Sequence, residues 1–473
     1  MIEGLKPYAE YKESGSRWLG AVPAKWEVRN LGTLISMRVE RNRADLPLLS
    51  VAREKGVFVR SMTDADENHN VIPEDLTNYK VARAGNLVIN KMKAWQGSMG
   101  IAPCDGIVSP AYFVFDFRIA NHAFGQRLLR SKPYVAHFGQ ASDGVRVGQW
   151  DLSIPGMRQI PVLLPSDDEQ TAIVRFLDHA NRKIDGFIRA KRKLIGLLNE
   201  QKQAIIHRAV TRGLNPDVPL KPSGIPWLGE IPAHWEVRRL RTIVSKIEQG
   251  VSPQASGFLA EGGSWGVLKS GCVNHGVFRQ TEHKQLAKGF AIDPTIVVKI
   301  GDVLISRACG SPNLVGSVGK VRALSYKLIL SDKTFRAAFR PIVDSDFMVY
   351  AMNGVYYRQQ VEQAISGADG MANNLPLSEL RGFVFVIPPL AEAAKTASHL
   401  DAELARFNTV VARTEREIAL MQEYRTRLTA DLVTGKLDVR EAAAKLPAPP
   451  VDADAETAPD EPLEEIETEE TEA

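Results

Sequence analysis

The amino-acid sequence predicts a mixed α+β protein built as a tandem pseudo-twofold repeat, in which two globular domains are separated by two long antiparallel coiled-coil helices. Three observations predict it. One signature occurs twice, 209 residues apart. Each copy leads into short β-branched runs punctuated by Gly, Pro, Asn and Asp, as expected for a sheet domain. Each domain then gives way to a segment nearly free of Gly and Pro, with apolar residues at heptad spacing.

The repeat orders the chain. Trp18-Leu19-Gly20-Ala21-Val22-Pro23-Ala24-Lys25-Trp26-Glu27-Val28-Arg29 returns as Trp227-Leu228-Gly229-Glu230-Ile231-Pro232-Ala233-His234-Trp235-Glu236-Val237-Arg238. Further along, Gly85-Asn86-Leu87-Val88-Ile89-Asn90-Lys91 matches Gly301-Asp302-Val303-Leu304-Ile305-Ser306-Arg307 at an offset of 216. Gly97-Ser98-Met99-Gly100 matches Gly316-Ser317-Val318-Gly319 at 219, and Val210-Thr211 matches Val433-Thr434 at 223. An offset that only grows is what short surface insertions between retained core elements produce. The aromatic signature itself reads as scaffold, anchoring the start of each copy to a core.

These offsets place the first domain at residues 1–165 and the first long helix at 166–213. A Pro-rich linker and the second domain take 214–388, the second long helix 389–437, and an acidic tail 438–473. Within the domains Leu87-Val88-Ile89, Tyr112-Phe113-Val114-Phe115, Thr295-Ile296-Val297-Val298 and Val384-Phe385-Val386-Ile387 read as strands. Pro165, and Pro388-Pro389, stop the sheet text before each helix. The helical segments, from about Asp167 to Arg212 and from about Leu390 to Thr434, run far beyond the ordinary length of about 11–12 residues. In the first, Ile184, Ile188, Lys191, Ile195, Leu198, Ile205 and Ala209 recur at steps of three and four. At offset 223 they fall on Phe407, Val411, Thr414, Ile418, Met421, Leu428 and Leu432. This is a coiled-coil seam, and a helix with so narrow an apolar stripe requires a long partner. The nearest is its own repeat, and pseudo-twofold pairing makes the two antiparallel with one domain at each end. Lys191 and Thr414 interrupt the seam, either as a register or docking device or as a snorkelling stem and a tolerated threonine.

Composition narrows the function. The chain has 473 residues, 44% hydrophobic and 24% charged, which excludes a fibre or a wholly disordered chain. Three scattered cysteines, Cys104, Cys272 and Cys309, fit a reducing compartment. With no apolar stretch of membrane-spanning length and no cationic, apolar leader, the expectation is a soluble cytoplasmic protein without a membrane partner. The net charge of +3 conceals a partition: Pro447 to Ala473 hold eleven acids and no Lys or Arg. Removing those eleven from the 56 acids, against 59 cations, leaves residues 1–446 at +14. The tail reads as disordered, and the basic body suits a polyanion.

Catalytic patterns are missing. There is no phosphate-binding Gly-x-x-x-x-Gly-Lys-Ser/Thr and no Gly-x-Gly-x-x-Gly after a strand. Cys272-Val273-Asn274-His275 with His283 lacks zinc spacing, and Glu282-His283-Lys284 lacks the second carboxylate a nuclease metal requires. No metal or catalytic site is expected. What remains are loops suited to a DNA groove. Lys91, Lys93, Trp95 and Gln96 combine cations for phosphate, an aromatic and an amide able to pair with adenine. Arg307 stands at the corresponding place in the second domain, with Lys269 and Ser270 added as candidate contacts. Near the domain ends, the loop bearing Arg146 and Gln149 corresponds to the one bearing Asn373 and Asn374. For any single residue a solvated loop is the competing reading. As a set, a kept framework with differing loops is expected if each domain reads a different half-sequence.

On the doubled Trp-Leu-Gly…Pro-Ala-Xaa-Trp-Glu-Val-Arg signature, Gly301-Asp302-Val303-Leu304-Ile305-Ser306-Arg307 and the Ile-Pro-rich strand before a helix bearing Asp168-Glu169-Gln170, the chain resembles the specificity subunit of type I restriction-modification systems up to Arg440. The second helix departs from the pattern, with Glu392-Ala393-Ala394, and the acidic tail lies outside it. The resemblance implies two target-recognition domains, each binding half of a bipartite sequence in double-stranded DNA, and a helix pair serving as ruler and as docking surface for two methyltransferase subunits and for restriction/translocase subunits. It implies a non-catalytic chain in defence against foreign DNA, with S-adenosylmethionine, ATP and Mg in the partner subunits and no cofactor here. About 40 helical residues span about 60 Å, enough to hold two readers one to two DNA turns apart at 34–36 Å per turn. The competing readings are a stand-alone DNA-binding protein or enzyme, for which catalytic residues are missing, and a coiled-coil adaptor, which leaves the basic body unexplained.

Overall fold

The computed structural model describes residues 5–60, 75–144, 150–225, 227–274, 276–365 and 373–447. The chain divides into two compact units. The first joins Met1–Arg189 to Glu417–Ala473, and the second is Ala190–Arg416. Each unit therefore contains one sheet domain and half of each long helix, so the helices belong to the domain cores.

In the first unit the frame is a four-stranded antiparallel sheet, ordered Ile35–Arg38, Tyr112–Phe117, Leu87–Asn90, Met99–Ile101. In the second, Val244–Gln249, Thr334–Phe339, Val303–Ser306 and Val318–Lys320 take the same order, and Val277–Phe278 and Val273–Asn274 extend the sheet. A strand from the signature closes each domain. Glu27–Asn30 pairs with Pro161–Leu164, and Glu236–Arg239 with Val384–Ile387. The units differ beside this frame. Where the first has the hairpin Leu49–Ala52/Gly56–Val59 and the pair Lys80–Ala82/Gly106–Val108, the second builds a separate four-stranded sheet from Ala255–Ser256, His283–Leu286, Trp265–Leu268 and Lys327–Ile329. The largest step in the offset, from 209 to 216, falls here, in loops whose length costs little entropy.

One strand expected from the sequence is absent. Thr295-Ile296-Val297-Val298 is not a strand: Pro294–Ile296 is a short 3-10 turn, and Val297 makes only an isolated bridge to Ile329. Asp293 accepts from the Thr295 backbone N–H at 2.8 Å, and Pro294 supplies the fixed first-turn φ, so local capping outweighs the β-branched run.

The long helices span Asp167–Arg212 and Leu390–Val433. In the first unit Ile173, Phe176, Leu177 and Ala180 share one core with Leu428, Leu432 and the domain residues Trp26, Phe124 and Tyr134. An Asp185–Arg425 ion pair joins the two helices there. In the second unit Ile206, Ala209 and Val210 share a core with Ala397, Leu400, Leu404, Trp235 and Phe347. Lys202 Nζ donates to Asn408 Oδ1 at 2.7 Å, while Gly213 lies against Glu392, so this pairing is antiparallel. Along the seam Ile184, Ile188, Thr414, Ile418 and Leu428 are buried. Lys191, Ile195, Leu198, Ile205, Phe407, Val411 and Met421 are half-buried. Thr414 spends its hydroxyl on the Val410 carbonyl at 2.8 Å, so its burial leaves no orphan donor.

The signature anchors each unit. Trp26 and Trp235 are essentially inaccessible to solvent. Gly435, at φ +75°, ends the second helix on this anchor; a Cβ there would stand 2.4 Å from Pro23 Cδ. The chain then stays within the first unit, which corrects the expected start of the tail at residue 438. Asp438 N–H donates to the Lys6 carbonyl at 2.7 Å, Arg440–Ala444 is a helix, and Val439 and Ala443 are buried. These apolar residues precede the acidic run and bury surface that the run cannot. Residues 448–473 lie outside the described ones.

Candidate nucleic-acid interface

The strand Leu87–Asn90 ends on Lys91, whose carbonyl accepts from the Leu152 N–H at 2.9 Å. The chain then makes a turn over Ala94–Gln96, closed by Gly97 at φ +89°, where a Cβ would press on Val135 at 3.1 Å. Trp95 donates its indole N–H to the Met92 carbonyl at 3.0 Å, and its ring lies 5.2 Å from that of Trp150. Lys93 is exposed and Gln96 half-buried beside them. Lys91 Nζ meets Asp151 Oδ2 at 2.9 Å. Asp151 belongs to the two-residue strand Asp151–Leu152, paired with Ser142–Asp143 so that Asp143 stands opposite Asp151. Lys91, Lys93, Trp95 and Gln96 thus gather on one loop against the ends of the segment carrying Arg146 and Gln149, which lie outside the described residues.

The second domain repeats the frame and changes the groups on it. Val303–Ser306 ends on Arg307, whose carbonyl accepts from the Leu375 N–H, again at 2.9 Å. Here the neck of the loop is uncharged: Ala308 pairs with Asn374 and Cys309 with Asn373. Arg307 is turned toward the protein, donating to the Asp332 carbonyl at 3.1 Å with its guanidinium 5.8 Å from the Phe335 ring centroid. Asn373 Nδ2 donates to the Gly310 carbonyl at 3.3 Å. The turn Ser270–Cys272 packs beside Ala308–Cys309, bringing Ser270 and Lys269 to the same neighbourhood. Lys269 Nζ lies 3.8 Å from Glu282 Oε2. Burial, with the Glu282 carboxylate adding to it, pushes the Cys272 thiol up to about 12, so this thiol stays protonated.

Of the candidates for DNA contact, Lys91, Trp95, Lys269, Arg307, Asn373 and Asn374 already have partners within the chain. A search for cations and amides passed over Asp143, Trp150 and Asp151. The signal for them was adjacency, since Trp150 and Asp151 directly follow Gln149. Among the described residues no group of three metal-ligating side chains occurs, and no helix is long and apolar enough to cross a membrane.

The helices carry a second repeated feature. Outside the seam, Phe187 and Leu197 are 37% and 53% exposed, and Val410 and Leu420, at offset 223, are 44% and 55% exposed. The first unit thus shows Phe187 and Leu420, and the second Val410 and Leu197.

Two domains of one topology, each sharing its core with paired long helices and each presenting a different loop set on the same frame, define a tandem two-domain protein built on a pair of long helices. The comparisons agree. No family model matches the chain. It is 27% identical over 213 residues to the type I restriction enzyme EcoEI specificity subunit of Escherichia coli, covering 44% of this chain and only 35% of that relative's length. It is 22% identical over 456 residues, 91% of this chain and 98% of the other, to a Methanocaldococcus jannaschii protein named as the type I restriction enzyme MjaX specificity subunit. A chain from a solved structure on complex assembly of a type I R-M system matches 87% of this chain and 98% of its own length with TM-score 0.59 at 15% identity, a likeness of fold. The chain is therefore similar to type I specificity subunits along most of its length.

Proposed function

We propose that this chain is the non-catalytic, cytoplasmic DNA-specificity subunit of a type I restriction-modification enzyme. Each domain reads half of a bipartite duplex target, while the helices dock two methyltransferase subunits and, through them, restriction subunits. One observation carries the reading. The bonds Leu152 to Lys91 and Leu375 to Arg307 build the same frame, on which the side chains have diverged from Lys91, Lys93 and Asp151 to Arg307, Cys309 and Asn374. Conserved geometry beneath divergent groups is what two readers of unlike sequences require. The +14 charge of residues 1–446 supports a phosphate-bearing partner. The exposed pairs Phe187/Leu420 and Val410/Leu197, equivalent under the repeat, suit two copies of one partner. S-adenosylmethionine, ATP and Mg are assigned to the partner subunits.

Selection from a random duplex pool by the chain assembled with its methyltransferase subunits tests this. The expected product is a two-part sequence with a spacer of fixed length, and exchange of residues 215–388 for those of a relative should change one part only. Methylation or cleavage by the chain alone, or enrichment of no sequence, overturns it.

A further inference from the structure

The two reading frames differ most sharply at one position. Asp151 precedes the leucine that bonds to Lys91, and Asn374 precedes the leucine that bonds to Arg307. In the first domain this position is acidic and faces Asp143 across a strand pair, whereas in the second Asn374 is neutral and faces Ala308, on the strand that follows Arg307. Like charges facing each other across a strand pair are unfavourable, and on a face that meets phosphate they oppose binding as well. Lys91 offsets part of this by meeting Asp151 at 2.9 Å, and in doing so is held away from phosphate. The pair is only partly covered, with side-chain exposures of 35% for Lys91 and 57% for Asp151, so it can exchange partners at small cost. A carboxylate is solely an acceptor. In the major groove the donors it can meet are the exocyclic amino groups of cytosine and adenine, while guanine O6 and N7 and thymine O4 repel it.

We propose that Asp151 is a specificity-determining residue of the first domain, an acceptor for the exocyclic amino group of a cytosine or adenine in its half-site, with Lys91 as the residue that positions it. The inference rests on the DNA-reading function proposed above and deepens it. Asp151 selects by repulsion as much as by attraction, because every base edge without an amino group, and every phosphate, meets a negative charge. Trp150, directly before Asp151 in the chain, has its ring 5.2 Å from that of Trp95, so an aromatic pair adjoins this position in the loop.

Asp151→Asn installs the residue that the second domain uses. In the full assembly, selection from duplexes randomised over both half-sites should show Asp151→Asn relaxing one position of the first half-site, by between about fivefold and a hundredfold, and leaving the second half-site unchanged. On random duplex the variant should bind more tightly, with a salt slope steeper by about 0.9 as Lys91 becomes available to one more phosphate; the steepening should vanish in Lys91→Met/Asp151→Asn. An unchanged selected sequence with an unchanged salt slope, or an equal weakening on all duplexes, overturns the inference and leaves Asp151 a fastener of the hairpin. A wild-type assembly that selects no sequence overturns the wider reading and this inference with it.

Discussion

Gln170 shows what one side chain does at the junction of domain and helix. It is almost fully buried, donates from Nε2 to the Pro165 carbonyl at 3.0 Å, and accepts from the Asn121 N–H at 3.1 Å through Oε1. It therefore satisfies a carbonyl before the helix and an amide from the sheet domain at once. Its neighbour Glu169 accepts from the Tyr8 hydroxyl at 2.7 Å, and burial together with this carboxylate holds the Tyr8 phenol protonated far above its usual range. In the second copy Glu392 meets His234 at 2.8 Å instead, and Ala393, buried, stands where Gln170 does. Replacing Gln170 by Ala leaves two backbone groups without their partner in a site that the first copy has not repacked. The expected loss is about 1–3 kcal/mol, read as a lower denaturant midpoint with an unchanged slope. A midpoint equal to wild type would mean that water replaces the amide completely. The departure from Asp168-Glu169-Gln170 in the second helix was visible in the sequence, but its meaning was not. Gln170 and Asn121 lie 49 positions apart, and no periodicity links them.

Elements were legible where a pattern runs long. The heptad text and a Pro stop placed the first helix from about Asp167 to Arg212, where the fold has it, and Gly213 at φ +73° follows it there. Short elements were legible only where they carry the core. Leu87–Asn90 and Val384–Ile387 are buried strands, whereas Thr295–Val298, equally β-branched, yields to the cap made by Asp293. Legibility failed most at the interface, because the pairing of Asp151 with Lys91 depends on register between segments 60 residues apart. The helices also permit a test of the ruler. Seven residues inserted into each, at matching seam positions next to Leu198 and its opposite number, preserve the heptad phase and lengthen each helix by about 10.5 Å. If the helices set the distance between the readers, the spacer in the methylated target should grow by about three base pairs, while both half-sites stay the same. Methyladenine mapping in cells carrying the variant reads this directly, and an unaltered spacer would remove the helices from that role.

At the scale of the molecule, charge is distributed along the chain in a way that the net value hides. Residues 448–473 hold all eleven acids of the terminal run, and without them the protein passes from +3 to +14. On the function proposed above, association with DNA should respond to this sum at long range, before any loop touches a base, because like charge on the protein lowers the local concentration of phosphate whatever conformation the acidic run adopts. The contacts proposed to select a sequence are short-range and should remain in place when the run is removed. Truncation after Pro447 should therefore raise the association rate for every duplex, by several-fold up to about tenfold at low ionic strength, with little change in the dissociation rate from the selected target. Affinity for random duplex rises along with affinity for target, so the truncated chain should spend more time on non-target DNA and find its site more slowly in a large excess of competitor. The effect should shrink as salt shortens the screening length from about 10 Å at 0.1 M to about 3 Å at 1 M. Stopped-flow association across that range distinguishes this from a local contact of the acidic run with a reading loop. A local competitor would change target selection and retain much of its effect at high salt, whereas a long-range field would leave selection alone and fade.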